Sequence, residues 1–203
     1  MSRRTHTSRL AAALLLGSVP FAQWVARVAA AQDLRRVDNG TVSATGVFRV
    51  AGHLPFVAVC LLDVGKGATA ALMIRHLPPG TRAVGAGLVV VGHNWSPFLQ
   101  GAGGRGVLPA LGALAVAHPT GAAVLLGGIL GGYARGDTAP GCFLAQTLLT
   151  PLLALTGGRR AALFGAAVAA PMLAKRIAGN GTYGRPASAR TYWTRAVYDR
   201  DRR

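Results

Sequence analysis

Four glycines set around one arginine give this chain its clearest capacity for chemistry. Gly101, Gly103, Gly104 and Gly106 enclose Arg105 within the stretch Gly92 to Val107. Glycine reaches positive φ without a Cβ penalty, so successive N–H groups in such a loop can turn into one concavity and hold an anion. Arg105 adds a planar, permanently charged fork. An apolar run from Ala83 to Val91 leads into the loop and another starts at Val107, which sets the loop at the mouth of a helix, where phosphate groups bind. The glycine spacing is not that of a Walker loop, so a plain turn between two helices is the competing reading.

Other reactive types lie at a distance in sequence. His93 just precedes the loop and is either a proton acceptor or a hydrogen-bonding group at a helix end. Asp33 to Gly52 carries Arg35, Arg36, Asn39, Thr41, Ser43 and Arg49, a set suited to a phosphorylated small molecule or simply to a solvated basic loop. Asp63 and Lys66 interrupt an apolar run three residues apart, on one helix face. Charges inside a span pair with one another or line a polar cavity. Arg135 stands in a polar break, Arg135-Gly136-Asp137-Thr138. Cys60 and Cys142 are isolated in apolar runs, and the five histidines form no ligand pair, so we expect buried thiols and no metal site.

The elements that must position these residues are read from composition. The chain has 203 residues, 51% of them hydrophobic and only 14% charged, with a mean hydropathy of +0.38. That is a membrane composition, and runs without strict alternation indicate helices rather than barrel strands. The net charge of +16 lacks the interleaved aromatics of a stacking surface, which argues against nucleic acid and for arginine-rich loops beside anionic lipid. The apolar segments are Leu10 to Gln32, with a Pro inside at Pro20, His53 to Ile74, Ala83 to Leu99, Val107 to Ala117, Thr120 to Ala134, Pro140 to Thr156 and Ala161 to Ala174. We therefore expect an all-α polytopic membrane protein of about seven transmembrane helices, some short or broken. The expected division is an N-terminal tail (1–9), a membrane domain (10–178) and a basic, disordered C-terminal tail (179–203). Arginines crowd that tail, which predicts a cytoplasmic C-terminus, an external N-terminus, and loops bearing Arg35, Arg105 and Arg135 on one inner face.

Taken in order, Gly17-Ser18-Val19-Pro20-Phe21, Asp33-Leu34-Arg35, Gly40 with Ala44-Thr45, Leu61-Leu62-Asp63 with Lys66-Gly67, Gly92-His93, Pro97-Phe98 and Gly103 to Val107 form a pattern. Across roughly residues 14 to 145 the pattern resembles the acyl-phosphate-dependent glycerol-3-phosphate acyltransferases of bacterial membranes, the PlsY type. Each piece is short, and the ordered set is what is specific. The resemblance implies a multi-pass enzyme of the plasma membrane that moves a fatty acyl group from acyl phosphate to glycerol 3-phosphate, making lysophosphatidic acid for phospholipid biosynthesis without cofactor or metal.

On that reading the catalytic candidates are Arg35, which matches the arginine of the family's first motif, and His93, the protein base nearest the acceptor hydroxyl if a substrate phosphate does not take the proton. Arg35, Lys66, Gly103, Gly104, Arg105, Gly106 and Arg135 are the substrate-binding candidates. Several positions depart from the family pattern. Asn39 stands where the first motif has a Ser, and Gly101-Ala102-Gly103-Gly104-Arg105-Gly106 replaces Phe-Lys-Gly-Gly-Lys-Gly. The third motif's His and Asn are missing from Ala169 to Arg176, and its closing Gly-Thr-Glu is at best Asn180-Gly181-Thr182. A non-catalytic relative that binds a phosphorylated lipid precursor or a partner membrane protein is the alternative these departures leave open.

Overall fold

The computed structural model describes residues 3–180 and 188–200. Among these residues there are helices and no strands. Helix α1 is Arg3–Ser18 and α2 is Phe21–Ala30, followed by a 3-10 turn at Leu34–Arg36 and a short helix α3, Ala44–Ala51. Then come α4 (His53–Ile74), α5 (Pro79–Asn94), a second 3-10 turn at Pro97–Leu99, α6 (Val107–Ala117), α7 (Pro119–Ala134), α8 (Thr138–Ala178) and α9 (Ala189–Tyr198).

Local chemistry sets these boundaries. Pro79 and Pro119 open α5 and α7, where a missing N–H costs nothing. Side-chain oxygens of Ser43, Asp137 and Ser188 accept first-turn N–H groups of α3, α8 and α9. At Gly158 the φ of 66° is outside the helical range, so α8 is two arms joined at a sharp bend. With α1, α4, α5, α6 and α7, those arms make the seven predicted segments. The segments beginning at Arg4, His53 and Thr138 are long and apolar enough to cross a bilayer, whereas α6 and α7 are shorter.

Three expectations about the polar stretches are corrected. The first span is broken outright at Val19-Pro20, because proline supplies no N–H and clashes with the preceding turn. Its second piece, α2, packs with α3 on α4. The Asp33–Gly52 connection is not a loop throughout, since α3 buries Ala44, Gly46 and Val47. The terminal tails are also partly ordered: α1 begins at Arg3, Arg9 donates to the carbonyl of Met73 at 2.9 Å, and α9 packs against α8. Residues 181–187 of the expected disordered tail lie outside the described residues.

Two apolar clusters hold the bundle. The larger joins Val89 and Val90 of α5 to Leu114, Leu125, Leu149 and Met172. The smaller joins Ala22, Leu34, Val42, Val47, Val59 and Leu99, and so sits directly beneath the polar loops. Small residues let backbones touch: a Cβ on Gly67 would collide with the backbone of Pro109, which brings α4 and α6 together. Leu54, Leu61 and Leu155 are largely exposed, as lipid-facing side chains are in a membrane bundle.

Candidate active site

Three connections meet at one end of the bundle. The amide of Val42 donates to the carbonyl of Gly103 at 3.1 Å, which ties the first polar stretch to the glycine loop. Asn180, just past α8, donates to the same carbonyl at 3.0 Å and to Thr41 Oγ1 at 3.3 Å, and accepts the N–H of Gly103 at 3.2 Å. Ser96 Oγ donates to the carbonyl of Ser18 at 2.6 Å and anchors the loop to the broken end of α1.

The glycine loop is built differently from the expected cradle. Gly101 and Gly106 do have positive φ, 84° and 74°. Gly103 and Gly104 do not, and they are needed for contact instead: a Cβ on Gly103 would strike the His93 carbonyl, and one on Gly104 would strike His93 Nε2. Their N–H groups are engaged internally, Gly104 with the His93 carbonyl at 3.1 Å and Gly103 with Asn180. Those two amides therefore do not converge on an empty concavity. Gly106 caps α6, whose first-turn N–H groups lack intrahelical partners by geometry, next to Arg105.

Arg105 is 10% exposed and fully engaged. Nη1 donates to the Lys175 carbonyl at 2.8 Å, while Nε and Nη2 lie 2.9 and 2.6 Å from the two carboxylate oxygens of Asp199. Asn39 donates to the Asp199 carbonyl at 3.0 Å. With Arg176, Asn180, Arg195 and Arg200 these residues line a tight cleft whose free volume, about 10 Å³, has room for little more than one water. Buried Lys175 reaches the Gly101 carbonyl at 3.3 Å and lies 5.1 Å from the Trp95 ring centre. Arg176 is a clamp, bonding Gln146, Ala139 and Ala196.

A second, buried group lies deeper. Lys66 Nζ is 2.8 Å from Asp63 Oδ1, 3.0 Å from the Val19 carbonyl and 2.9 Å from His93 Nδ1. The ammonium donates to the Val19 carbonyl and to His93 Nδ1, and its charge is matched by Asp63 as an ion pair. The side chains of Asp63 and Lys66 are almost wholly buried, so the pair that the sequence spacing suggested is formed. Lys66 holds α4 to the broken end of α1 and to α5, and does not point at a ligand from the Arg105 cleft. These three side chains border a second tight cleft, of about 10 Å³, with Phe21, Val42 and Leu99.

Two predicted binding residues lie apart from Arg105. Arg35 Nε and Nη2 grip Asp33, at 3.0 and 2.7 Å, and the guanidinium holds the Asp33 carboxyl well below the usual carboxylate range. Arg135 is exposed and turns back to the Gly131 carbonyl of its own helix. Arg49 pairs with Asp38. Among the described residues no three His, Cys, Asp or Glu side chains gather as metal ligands.

This arrangement was compared with known proteins. Residues 8–180 match the family profile described as glycerol-3-phosphate acyltransferase. The chain belongs to that family. A glycerol-3-phosphate acyltransferase of Deinococcus radiodurans is 36% identical over 173 residues, covering 81% of this chain and 87% of the relative. One from a Jannaschia species is 37% identical over 171 residues, with 83% of each covered. The fold matches a crystal structure of PlsY, an integral membrane glycerol 3-phosphate acyltransferase in its glycerol 3-phosphate form, with a TM-score of 0.77 and 25% identity over 84% of this chain and 88% of that one. The lysophosphatidic acid form of PlsY matches with a TM-score of 0.74. Family membership makes this chain an integral membrane acyltransferase of lipid biosynthesis.

Sequence reasoning passed over Lys175 and Asp199, and took Asn180 only as the remnant of a motif. Asn180 did carry a signal, since a side-chain amide at a helix end beside glycines can reach loop backbone. Asp199 carried none beyond being one of six acids in a basic chain.

Proposed function

We propose that the chain transfers a fatty acyl group from acyl phosphate to the first hydroxyl of glycerol 3-phosphate at a bacterial plasma membrane, with its C-terminus in the cytoplasm. The hydroxyl oxygen forms a bond to the acyl carbon, the carbon–oxygen bond to phosphate breaks, and phosphate leaves with the electron pair. The hydroxyl proton passes to a phosphate oxygen. Phosphate is a good leaving group, so holding two substrates together in line supplies much of the rate.

The observation that carries this reading is Arg105. It stands beside the N-terminus of α6, in a cleft where the cations of Arg176, Arg195 and Arg200 meet the amide of Asn180. Such a set suits a phosphomonoester, because charge-assisted bonds to phosphate oxygens are stronger than neutral ones. Gly103 and Gly104 serve it by seating the loop on His93. His93 is assigned as a positioning residue, and Arg35 and Lys66 as organisers of the first polar stretch and of α4. The cytoplasmic side is favoured because Arg27, Arg35, Arg36, Arg49 and the arginines of α9 crowd the end of the bundle that carries the cleft.

The test is turnover by purified protein in vesicles, with acyl phosphate and glycerol 3-phosphate. Lysophosphatidic acid and inorganic phosphate should appear in equal amounts, well above an Arg105→Ala control. Equal background in both proteins would reject the reading. Product from acyl-CoA but not from acyl phosphate would reject the donor alone.

A further inference from the structure

We propose that Asp199 is a built-in stand-in for substrate phosphate, and that the α9 strap must lift it from Arg105 before a phosphorylated acceptor binds. This rests on the reading of the Arg105 cleft as the acceptor-phosphate site.

The geometry is that of a bound anion. Asp199 Oδ2 accepts from Nε at 2.9 Å, and Oδ1 lies 2.6 Å from Nη2 in an ion-pair contact, so the carboxylate occupies the side of the guanidinium that a phosphate would take. Nη1 is taken by the Lys175 carbonyl. In this state each nitrogen of Arg105 has a partner, and its charge is neutralised by the chain itself. A phosphate cannot reach the fork while Asp199 is there, and its negative charge is repelled by the carboxylate.

The chain delivers Asp199 with some precision. It follows the last turn of α9 with φ of 55°, a left-handed conformation that turns it off the helix axis. Asn39 holds its carbonyl at 3.0 Å. Arg176 grips the Ala196 carbonyl at 2.9 Å from the side of α8, and Arg200 pairs with Asp137 at 3.0 Å. That last pair is about half exposed, so the outer end of the strap is held by a solvent-screened contact. A phosphomonoester dianion brings more charge and three terminal oxygens, against one charge and two oxygens on Asp199. It therefore competes well for Arg105 and for the first-turn N–H groups of α6, which stay in place when Arg195 and Arg200 move off with the strap.

The deciding variant is Asp199→Asn, in the full chain. Asparagine keeps the shape and accepts the left-handed conformation, while removing the charge. Binding of inorganic phosphate to purified protein in vesicles is read first, because it does not depend on turnover. Affinity should rise by about tenfold, the effect of losing one charge-assisted competitor. The apparent KM for glycerol 3-phosphate should fall by a similar factor. Asp137→Asn, which keeps the helix cap but frees Arg200, should shift both in the same direction by less. Phosphate affinity that is unchanged or weaker in both variants overturns the strap, and weaker affinity would make Asp199 a residue that orients Arg105. Tighter phosphate binding with no acyl transfer by any form leaves the strap standing and removes the acyltransfer reading instead.

Discussion

Lys66 donates to Nδ1 of His93 across 2.9 Å, and that contact fixes what the imidazole can do. A ring nitrogen that accepts from an ammonium carries no proton of its own, so in the neutral ring the proton resides on Nε2. Nε2 in turn faces the backbone of Gly104. The free lone pair needed by a general base is thus already in use, and His93 acts on the reaction by holding the glycine loop in place.

Removing the partner of a buried charge is expensive. Lys66→Met should lower stability by about 3–5 kcal/mol, because it leaves the Asp63 carboxylate buried without its cation. The measurement is thermal or chemical unfolding in detergent. Adding Asp63→Leu to the same protein should recover most of the loss, whereas an equally unstable double variant would show that the pair is not the reason.

Close approach at Gly104 gives a compensation test. Gly104→Ala should displace the loop and cost about 1–3 kcal/mol, as overpacking of a tight contact does, with a matching loss of activity. Adding His93→Ala removes the contacts with the ring and leaves the Val42 carbonyl, 2.9 Å from the new methyl, as its nearest neighbour. The double variant should be more active than Gly104→Ala alone, and failure to improve would place the defect in the backbone rather than in the ring contact.

Arg105→Ala should raise the apparent KM for glycerol 3-phosphate by roughly ten- to hundred-fold, with the protein still folded. Arg105→Lys should recover part of this, since it restores charge without the planar fork. An unaltered KM in Arg105→Ala would move the phosphate elsewhere in the cleft.

The Asp33–Arg35 pair predicts an acid dependence. The Arg35 hydrogen bond, assisted by the backbone N–H of the same residue, lowers the folded-state pKa of Asp33, while its partial burial opposes this. A depressed carboxylate stabilises the fold above its unfolded pKa of about 4, and that stabilisation is lost as pH falls toward the folded value. The stability difference between wild type and Asp33→Asn should be constant above about pH 5 and shrink in more acidic solution. A difference independent of pH down to acid unfolding would show that the pair contributes nothing.

The membrane segments were legible because their limits are written in local chemistry, in Pro119 and in the glycines around Gly158. The break at Pro20 was visible as a kink, but its extent depends on Lys66 and Ser96 receiving the freed carbonyls, which are distant in sequence. Helix α3 was hidden because Thr45 and Arg49 make it read as polar, and only Ser43 marks its start. Arg105 stood out by its glycines. Its partner Asp199 is ninety-four positions away, and no local pattern records a pairing of that range. Arg35 drew attention by type, but Asp33, two residues before it, claims its guanidinium.

The break between α1 and α2 also bears on assembly. The carbonyl of Ser18 faces a donor that arrives later in the chain, Ser96, and that of Val19 gains Lys66 beside the local N–H of Phe21. In hydrocarbon an unmatched carbonyl costs several kcal/mol, so the first thirty residues are not a self-sufficient span when they enter the bilayer. They become one only after α4 and the turn beyond α5 have been inserted beside them. An element made before α4 and α5 therefore settles after them.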